Sequence, residues 1–168
     1  VKYIKKLAFT AEESPAKNQQ SGYRLRPVGE AGDRAQPSMF EMNVKSWITG
    51  PLADAATGKV QIHGVAFGGV SAVNKIEVST DDGATWTEAN FIGPDLGEYA
   101  WRPFVLIADL PAGEHVLASR ATNAAGDTQP ETVEPNERAY GHNGWRAQAV
   151  DLPITCSQAV DGRPRHRP

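Results

Sequence analysis

Ser79-Thr80-Asp81-Asp82-Gly83-Ala84-Thr85-Trp86 follows a segment in which Ile76 and Val78 alternate with polar neighbours. Period-two alternation is the pattern of a half-buried strand, and Asp81-Asp82-Gly83 supplies residues that tolerate the positive φ of a hairpin turn. An Asp side chain can cap the backbone of such a turn, and Trp86 can fold back onto the sheet as a large apolar anchor. The stretch predicts a β-hairpin and speaks to scaffold rather than chemistry. Asp81 and Asp82 are adjacent on a turn, point apart, and make a poor acid/base pair.

On either side the same grammar repeats. Met42, Val44, Trp47 and Ile48 open a strand that Gly50-Pro51 ends, and Val60, Ile62, Gly64 and Ala66 alternate in the next, which reaches the hairpin through Gly68-Gly69. Tyr99, Trp101, Pro103 or Phe104, and Leu106 form a run stopped by Pro111-Ala112-Gly113. Leu117, Ser119 and Ala121 alternate against Val116, Ala118 and Arg120, and Ala149, Val150 and Leu152 end the series. Turns recurring every eight to twelve or so residues, with about seven strands, predict an all-β immunoglobulin-like sandwich. Sixteen Gly and twelve Pro, spread as punctuation, agree with that class. Ser-x-Asp-x-Gly-x-Thr-Trp also resembles the Asp box hairpin of sialidase propellers, which is structural there too. A propeller needs several copies at regular spacing, and this sequence has one.

The 168 residues suffice for one ordinary domain with segments left over at both ends. We divide them into an extended connector over residues 1–37, the sandwich over 38–152, and an Arg-, His- and Pro-rich tail over 153–168, expected to be disordered. Within the connector, Lys2-Tyr3-Ile4-Lys5-Lys6-Leu7-Ala8-Phe9 mixes apolar and basic residues as an edge strand does, while residues 10–36 are polar, interrupted by Tyr23, Arg24 and Arg26. A formal net charge of −3 without a basic stripe implies no nucleic-acid partner, and no apolar run approaches the ~20 residues that cross a bilayer. The lone Cys156 cannot form an internal disulfide. The chain starts at Val1 with neither Met nor a secretory apolar core, which we read as processing, truncation or excision; its compartment stays unread. His63, His115 and His142 are too scattered for a familiar zinc motif, and His63 is expected on a sheet.

Several segments taken in order carry a family resemblance: Val1-Lys2-Tyr3-Ile4, Glu12-Glu13-Ser14, Gly22-Tyr23-Arg24, Val44-Lys45-Ser46 with Gly50-Pro51, Val78 to Trp86, Tyr99-Ala100-Trp101-Arg102, Arg120-Ala121-Thr122 and Gln129-Pro130. Over about the first 150 residues this set resembles the sulfite oxidase family of molybdenum enzymes. Gly22 to Pro27 is most similar to bacterial sulfite and sulfane dehydrogenase components. The resemblance implies the end of a molybdopterin domain followed by an immunoglobulin-like dimerisation domain, hence a homodimer. It further implies oxidation of sulfite or a related sulfur compound, a cytochrome c or haem subunit as electron acceptor, and a periplasmic setting. The molybdenum-ligating cysteine of the family would lie upstream of Val1, so the chain alone is expected to bind no cofactor and to be inactive.

Residue roles follow from the same resemblance. Tyr23, by its spacing after Glu12-Glu13-Ser14, resembles the family's active-site tyrosine, whose phenol can donate a hydrogen bond to an oxo or sulfite oxygen. Its plain alternative is a tyrosine that anchors a loop. Arg138, in Arg138-Ala139-Tyr140-Gly141-His142-Asn143-Gly144-Trp145, resembles the segment by which the second domain reaches the substrate pocket; a planar guanidinium suits a sulfur oxyanion. Its alternative is a surface arginine paired with Glu134 or Glu137. Lys2 resembles a cofactor-binding lysine near the pterin. Arg24 and Arg26 are taken as solvated loop arginines of secondary interest. A different class of function, a free-standing immunoglobulin-like binding module without catalysis, predicts a monomer with its own ligand.

Overall fold

A computed structural model describes residues 3–53 and 55–156. They divide into two compact units: one made of the described residues up to Met42 together with Glu134–His142, the other of Asn43–Val133 with the described residues from Asn143 on. The segment 134–142, which the sequence reading left inside the sandwich, therefore groups with the connector.

Among the described residues the larger unit is a two-sheet sandwich of nine strands: β1 Lys45–Gly50, β2 Ala55–Ala56, β3 Gly58–Phe67, β4 Val73–Ser79, β5 Thr87–Glu88, β6 Asn90–Phe91, β7 Arg102–Leu110, β8 Gly113–Asn123 and β9 Val150–Thr155. One sheet runs β1-β3-β7-β6 and the other β2-β9-β8-β4-β5. All neighbours are antiparallel except β2 and β9. Three strands have only two residues, so six long strands carry the immunoglobulin-like architecture.

Alternation sets the faces. In β3, Val60, Ile62, Gly64 and Ala66 are buried while Lys59, Gln61 and His63 are exposed. Leu117 and Ala121 of β8, Ile76 and Val78 of β4, and Leu152 and Ile154 of β9 complete the core with Phe104 of β7. Gly64 is required by close approach: a Cβ there would run into the ring of Phe104 and lie 2.5 Å from the carbonyl oxygen of Trp47. Strand β7 starts at Arg102, so Tyr99 and Trp101 precede it, and Trp101 packs against Trp47 and Phe67 with ring centroids 4.8 and 5.1 Å away.

One polar cluster ties the sheets together. Ser46 of β1 and Ser119 of β8 share a hydrogen bond of 3.0 Å, and the Gln129 carbonyl oxygen accepts from the Ser46 amide and hydroxyl at 2.8 Å each and from the Ala121 amide at 3.3 Å. The Gln129 amide group donates back to the Ser46 carbonyl at 3.2 Å. All three side chains are buried, so their hydrogen bonds go to one another instead of to water.

The hairpin forms as its sequence predicts. Strands β4 and β5 pair across it, and Asp82 and Gly83 both have positive φ, 57° and 83°, as the primed hairpin turns demand. Asp81 accepts from the Thr85 amide at 2.8 Å, the Thr85 hydroxyl at 2.5 Å and the Ser79 hydroxyl at 2.7 Å. These bonds, those from Thr85 foremost, hold its carboxyl down to about 2. Asp82 points elsewhere, to Arg146 at 2.7 Å. The Trp86 indole donates to the Gly83 carbonyl at 3.1 Å, and its ring meets buried Trp145 edge-on at 5.0 Å.

Two expectations change. Residues 3–10 form no strand: no neighbouring strand pairs with them among the described residues, and Tyr3, Leu7 and Phe9 are almost wholly exposed. At the other end, β9 continues to Thr155, past the point where the tail was expected to begin, because its backbone pairs with β8 as far as Gly113↔Ile154. Residues 157–168 lie outside the described residues.

Candidate functional site

The smaller unit builds a cavity of about 320 Å³ lined by Lys17, Asn18, Gly22, Tyr23, Arg138 and Tyr140. Two chain segments distant in sequence supply it. The first ends a π-helical turn over Asn18–Gly22, closed by the Tyr23 amide donating to the Asn18 carbonyl at 2.9 Å. The residue that follows the turn is Tyr23.

Beneath this turn sit the two arginines expected to be solvated, and the structure corrects that expectation. Arg24 is 4% and Arg26 8% exposed. The Arg24 guanidinium donates to the Glu13 carboxylate at 2.9 Å and to the carbonyls of Gln19 and Gln36 at 2.7 and 3.1 Å; Arg26 donates to the Ser21 carbonyl at 3.2 Å. A connector with little apolar content holds its shape by seating guanidinium groups on its own carbonyls, as a buried charge requires.

The second segment is fixed by Asn136. Its carbonyl oxygen accepts from the Tyr140 amide at 3.0 Å and the Arg138 amide at 3.3 Å, and its amide group donates to the Tyr140 carbonyl at 2.8 Å. Ala139 between them has φ +52°. Two further bonds join the segments: the Glu137 amide donates to the Arg26 carbonyl at 3.0 Å, and the Glu137 carboxylate accepts from the Gly29 amide at 2.7 Å. The Tyr23 and Tyr140 rings stack with centroids 5.9 Å apart and planes 29° from parallel.

The structure thus brings Tyr23 and Arg138 to one cavity. Glu137 is engaged by Gly29, and among the described residues the Arg138 guanidinium pairs with neither Glu134 nor Glu137. Lys2 lies outside the described residues. Lys17 and Tyr140 were missed by the sequence reading; the signal for Tyr140 was its place two residues after Arg138, where an Asn136 side chain can clamp both backbones. Two cations, two phenols and an amide with no carboxylate in the lining make a surface for an oxyanion. The donor set does not suit a soft metal: the one thiol, Cys156, is exposed and lies in the other unit, and no cluster of metal-ligating side chains occurs among the described residues.

Comparison with known proteins gives the following. Residues 36–152 match the family model described as the Mo-co oxidoreductase dimerisation domain. The chain is 30% identical over 158 residues to sulfite oxidase of Gallus gallus, covering 86% of this chain and 34% of that protein. It is 33% identical over 166 residues to mitochondrial sulfite oxidase of Mus musculus, covering 90% and 30%. The chain therefore spans about a third of the length of these relatives. Among solved structures it is similar in fold to the sulfane dehydrogenase SoxCD from Paracoccus pantotrophus, with a TM-score of 0.55, 24% identity, and coverage of 80% of this chain and 34% of that one.

Proposed function

The chain belongs to the Mo-co oxidoreductase dimerisation domain family, and from that membership we propose that it is the C-terminal dimerisation region of a sulfite-oxidase-type molybdenum oxidoreductase, to whose substrate pocket Tyr23 and Arg138 contribute. The observation that carries the reading is the convergence of Tyr23 and Arg138 on one cation-rich cavity.

The chemistry of these residues is binding and orientation. Arg138 presents a planar fork to a sulfur oxyanion such as sulfite, and the Tyr23 hydroxyl donates one hydrogen bond to an oxygen of the same anion. Tyr140, stacked on Tyr23, limits where that hydroxyl can point. Lys17 adds a second positive charge on the rim. When bound, the molybdenum cofactor supplies the oxo-transfer and redox chemistry; the thiolate that ligates it in this family belongs to the preceding domain, and an upstream molybdopterin domain and a haem or cytochrome acceptor are the partners this assignment calls for.

Two charge-assisted hydrogen bonds of about 1.5–3 kcal/mol each correspond to roughly millimolar affinity for the chain by itself. Titration with sulfite should move the Arg138 Nε–H and Tyr23 ring NMR resonances together. Arg138→Ala should weaken binding by about tenfold to a hundredfold, and in a protein carrying the molybdopterin domain it should raise KM for sulfite by a similar factor. Resonances that stay still up to saturating anion, with an unchanged KM, would overturn the pocket assignment.

A further inference from the structure

The two cations that line the Tyr23 cavity are left without a counter-charge from the protein. Lys17 stands just before the π-helical turn as its N-cap, and its carbonyl accepts from the Ser21 hydroxyl at 3.3 Å, so its backbone is held while its side chain is exposed. Arg138 stands on the segment that Asn136 clamps. Glu13, the acid closest to Lys17 in sequence, is taken by Arg24 at 2.9 Å, with Arg34 at 3.9 Å. Glu137, beside Arg138, accepts from the Gly29 amide at 2.7 Å. Among the described residues neither Lys17 nor Arg138 enters an ion pair.

These two cations differ in what they can tell apart. A guanidinium is a planar fork, so Arg138 responds to where the oxygens of an anion lie. An ammonium is a compact point charge on a flexible stem, so Lys17 responds to how much charge the anion carries. The other lining donors, the phenols of Tyr23 and Tyr140 and the amide of Asn18, give hydrogen bonds without adding a formal charge. Coulomb energy is proportional to the product of the charges, so one cation stabilises a bound dianion twice as strongly as a monoanion in the same place. In affinity, the factor that a dianion loses with that cation is therefore the square of the factor that a monoanion loses.

We infer that Lys17 is a specificity-determining residue of this cavity, selecting doubly charged over singly charged oxyanions. The inference rests on the pocket reading above and adds to it the residue that sets the charge of the ligand. Because Lys17 is exposed, solvent and salt weaken its pull, and the expected factors are about threefold for a monoanion and about tenfold for a dianion.

The test compares sulfate with methanesulfonate, tetrahedral sulfur anions that differ by a single charge. Each is titrated into the full chain at neutral pH and constant ionic strength, and the Tyr23 ring and Arg138 Nε–H NMR resonances report binding at the cavity. Hydration differs between the anions, but it cancels when each is compared with itself across variants. Lys17→Gln should weaken sulfate about tenfold and methanesulfonate about threefold, and Lys17→Arg should keep the ratio of the two affinities within about 1.5-fold of the wild type. Lys59→Gln, which removes the same charge from β3 in the other unit, should change neither affinity by more than about 1.5-fold. Circular dichroism checks that the variants are folded, and Lys17→Met repeats the comparison with the aliphatic stem kept. Equal factors for the two anions, no change with the Lys17 variants, or a Lys59→Gln effect as large as that of Lys17→Gln would overturn the role of Lys17 and leave the pocket intact. A wild-type chain whose resonances respond to neither anion would overturn the pocket reading and the role of Lys17 with it.

Discussion

Replacing Gly83 by Ala attacks the hairpin at the point where backbone and core meet. Gly83 has φ +83°, where an L-residue costs about 1–2 kcal/mol. A Cβ built there would also enter the van der Waals envelope of Trp145, with Cζ2 and Cζ3 at 3.1 Å and Cη2 closer still. Trp145 has little room to retreat: it is 5% exposed, edge-on to Trp86, and its backbone amide donates to the Pro130 carbonyl at 2.9 Å. Overpacking of this kind typically costs about 1–3 kcal/mol, so the total loss is roughly 2–5 kcal/mol. Gly93 is the matched control, since its φ is +75° and no atom lies within 4 Å of the new Cβ; Gly93→Ala should cost only the backbone part, about 1–2 kcal/mol. Urea unfolding followed by tryptophan fluorescence measures both, and a loss of roughly 2–5 kcal/mol corresponds to roughly 4–20 °C in Tm for a chain of this size. Equal losses for the two variants would refute the claim that Trp145 closes over the turn.

The carboxyl of Asp81, lowered to about 2 in the fold from an ordinary 3.8, makes stability pH-dependent. Its contribution is complete above about pH 4 and disappears as pH falls toward 2, because the unfolded state takes up the proton first. Asp81 is exposed, so after allowing for solvent screening the effect is about 1 kcal/mol; Asp81→Asn should flatten the stability profile between about pH 4 and 2, and an unchanged slope would count against the bond set drawn here. Gln129→Leu would strand the Ser46 and Ala121 amides away from water, and a loss of about 3 kcal/mol is expected in chemical denaturation; a loss under about 1 kcal/mol would mean the cluster is replaceable.

Much of the sandwich was legible because its signals are local. Val60, Ile62, Gly64 and Ala66 alternate over one strand, and Asp82-Gly83 names its own turn. Where the outcome depended on a partner far along the chain, the sequence misled. Tyr3, Ile4, Leu7 and Phe9 have the composition of an edge strand, but a strand exists only where another chain segment completes its ladder. Arg24 and Arg26 looked solvated because loop arginines commonly are; their burial depends on Glu13 and on carbonyls that only the folded connector presents. Tyr23 and Arg138 were singled out through resemblance, while Lys17 and Tyr140 became visible only once two distant segments shared a cavity.

Immunoglobulin-like domains of antibodies cross-link their two sheets with a disulfide. Here the corresponding tie is the side-chain amide of Gln129, clasped by Ser46 and facing Ser119, and the chain's single cysteine takes no part in it. The link between these two sheets is a set of hydrogen bonds shielded from water, so reductant finds no bond to cut in it and only a change in the side chains themselves can undo it.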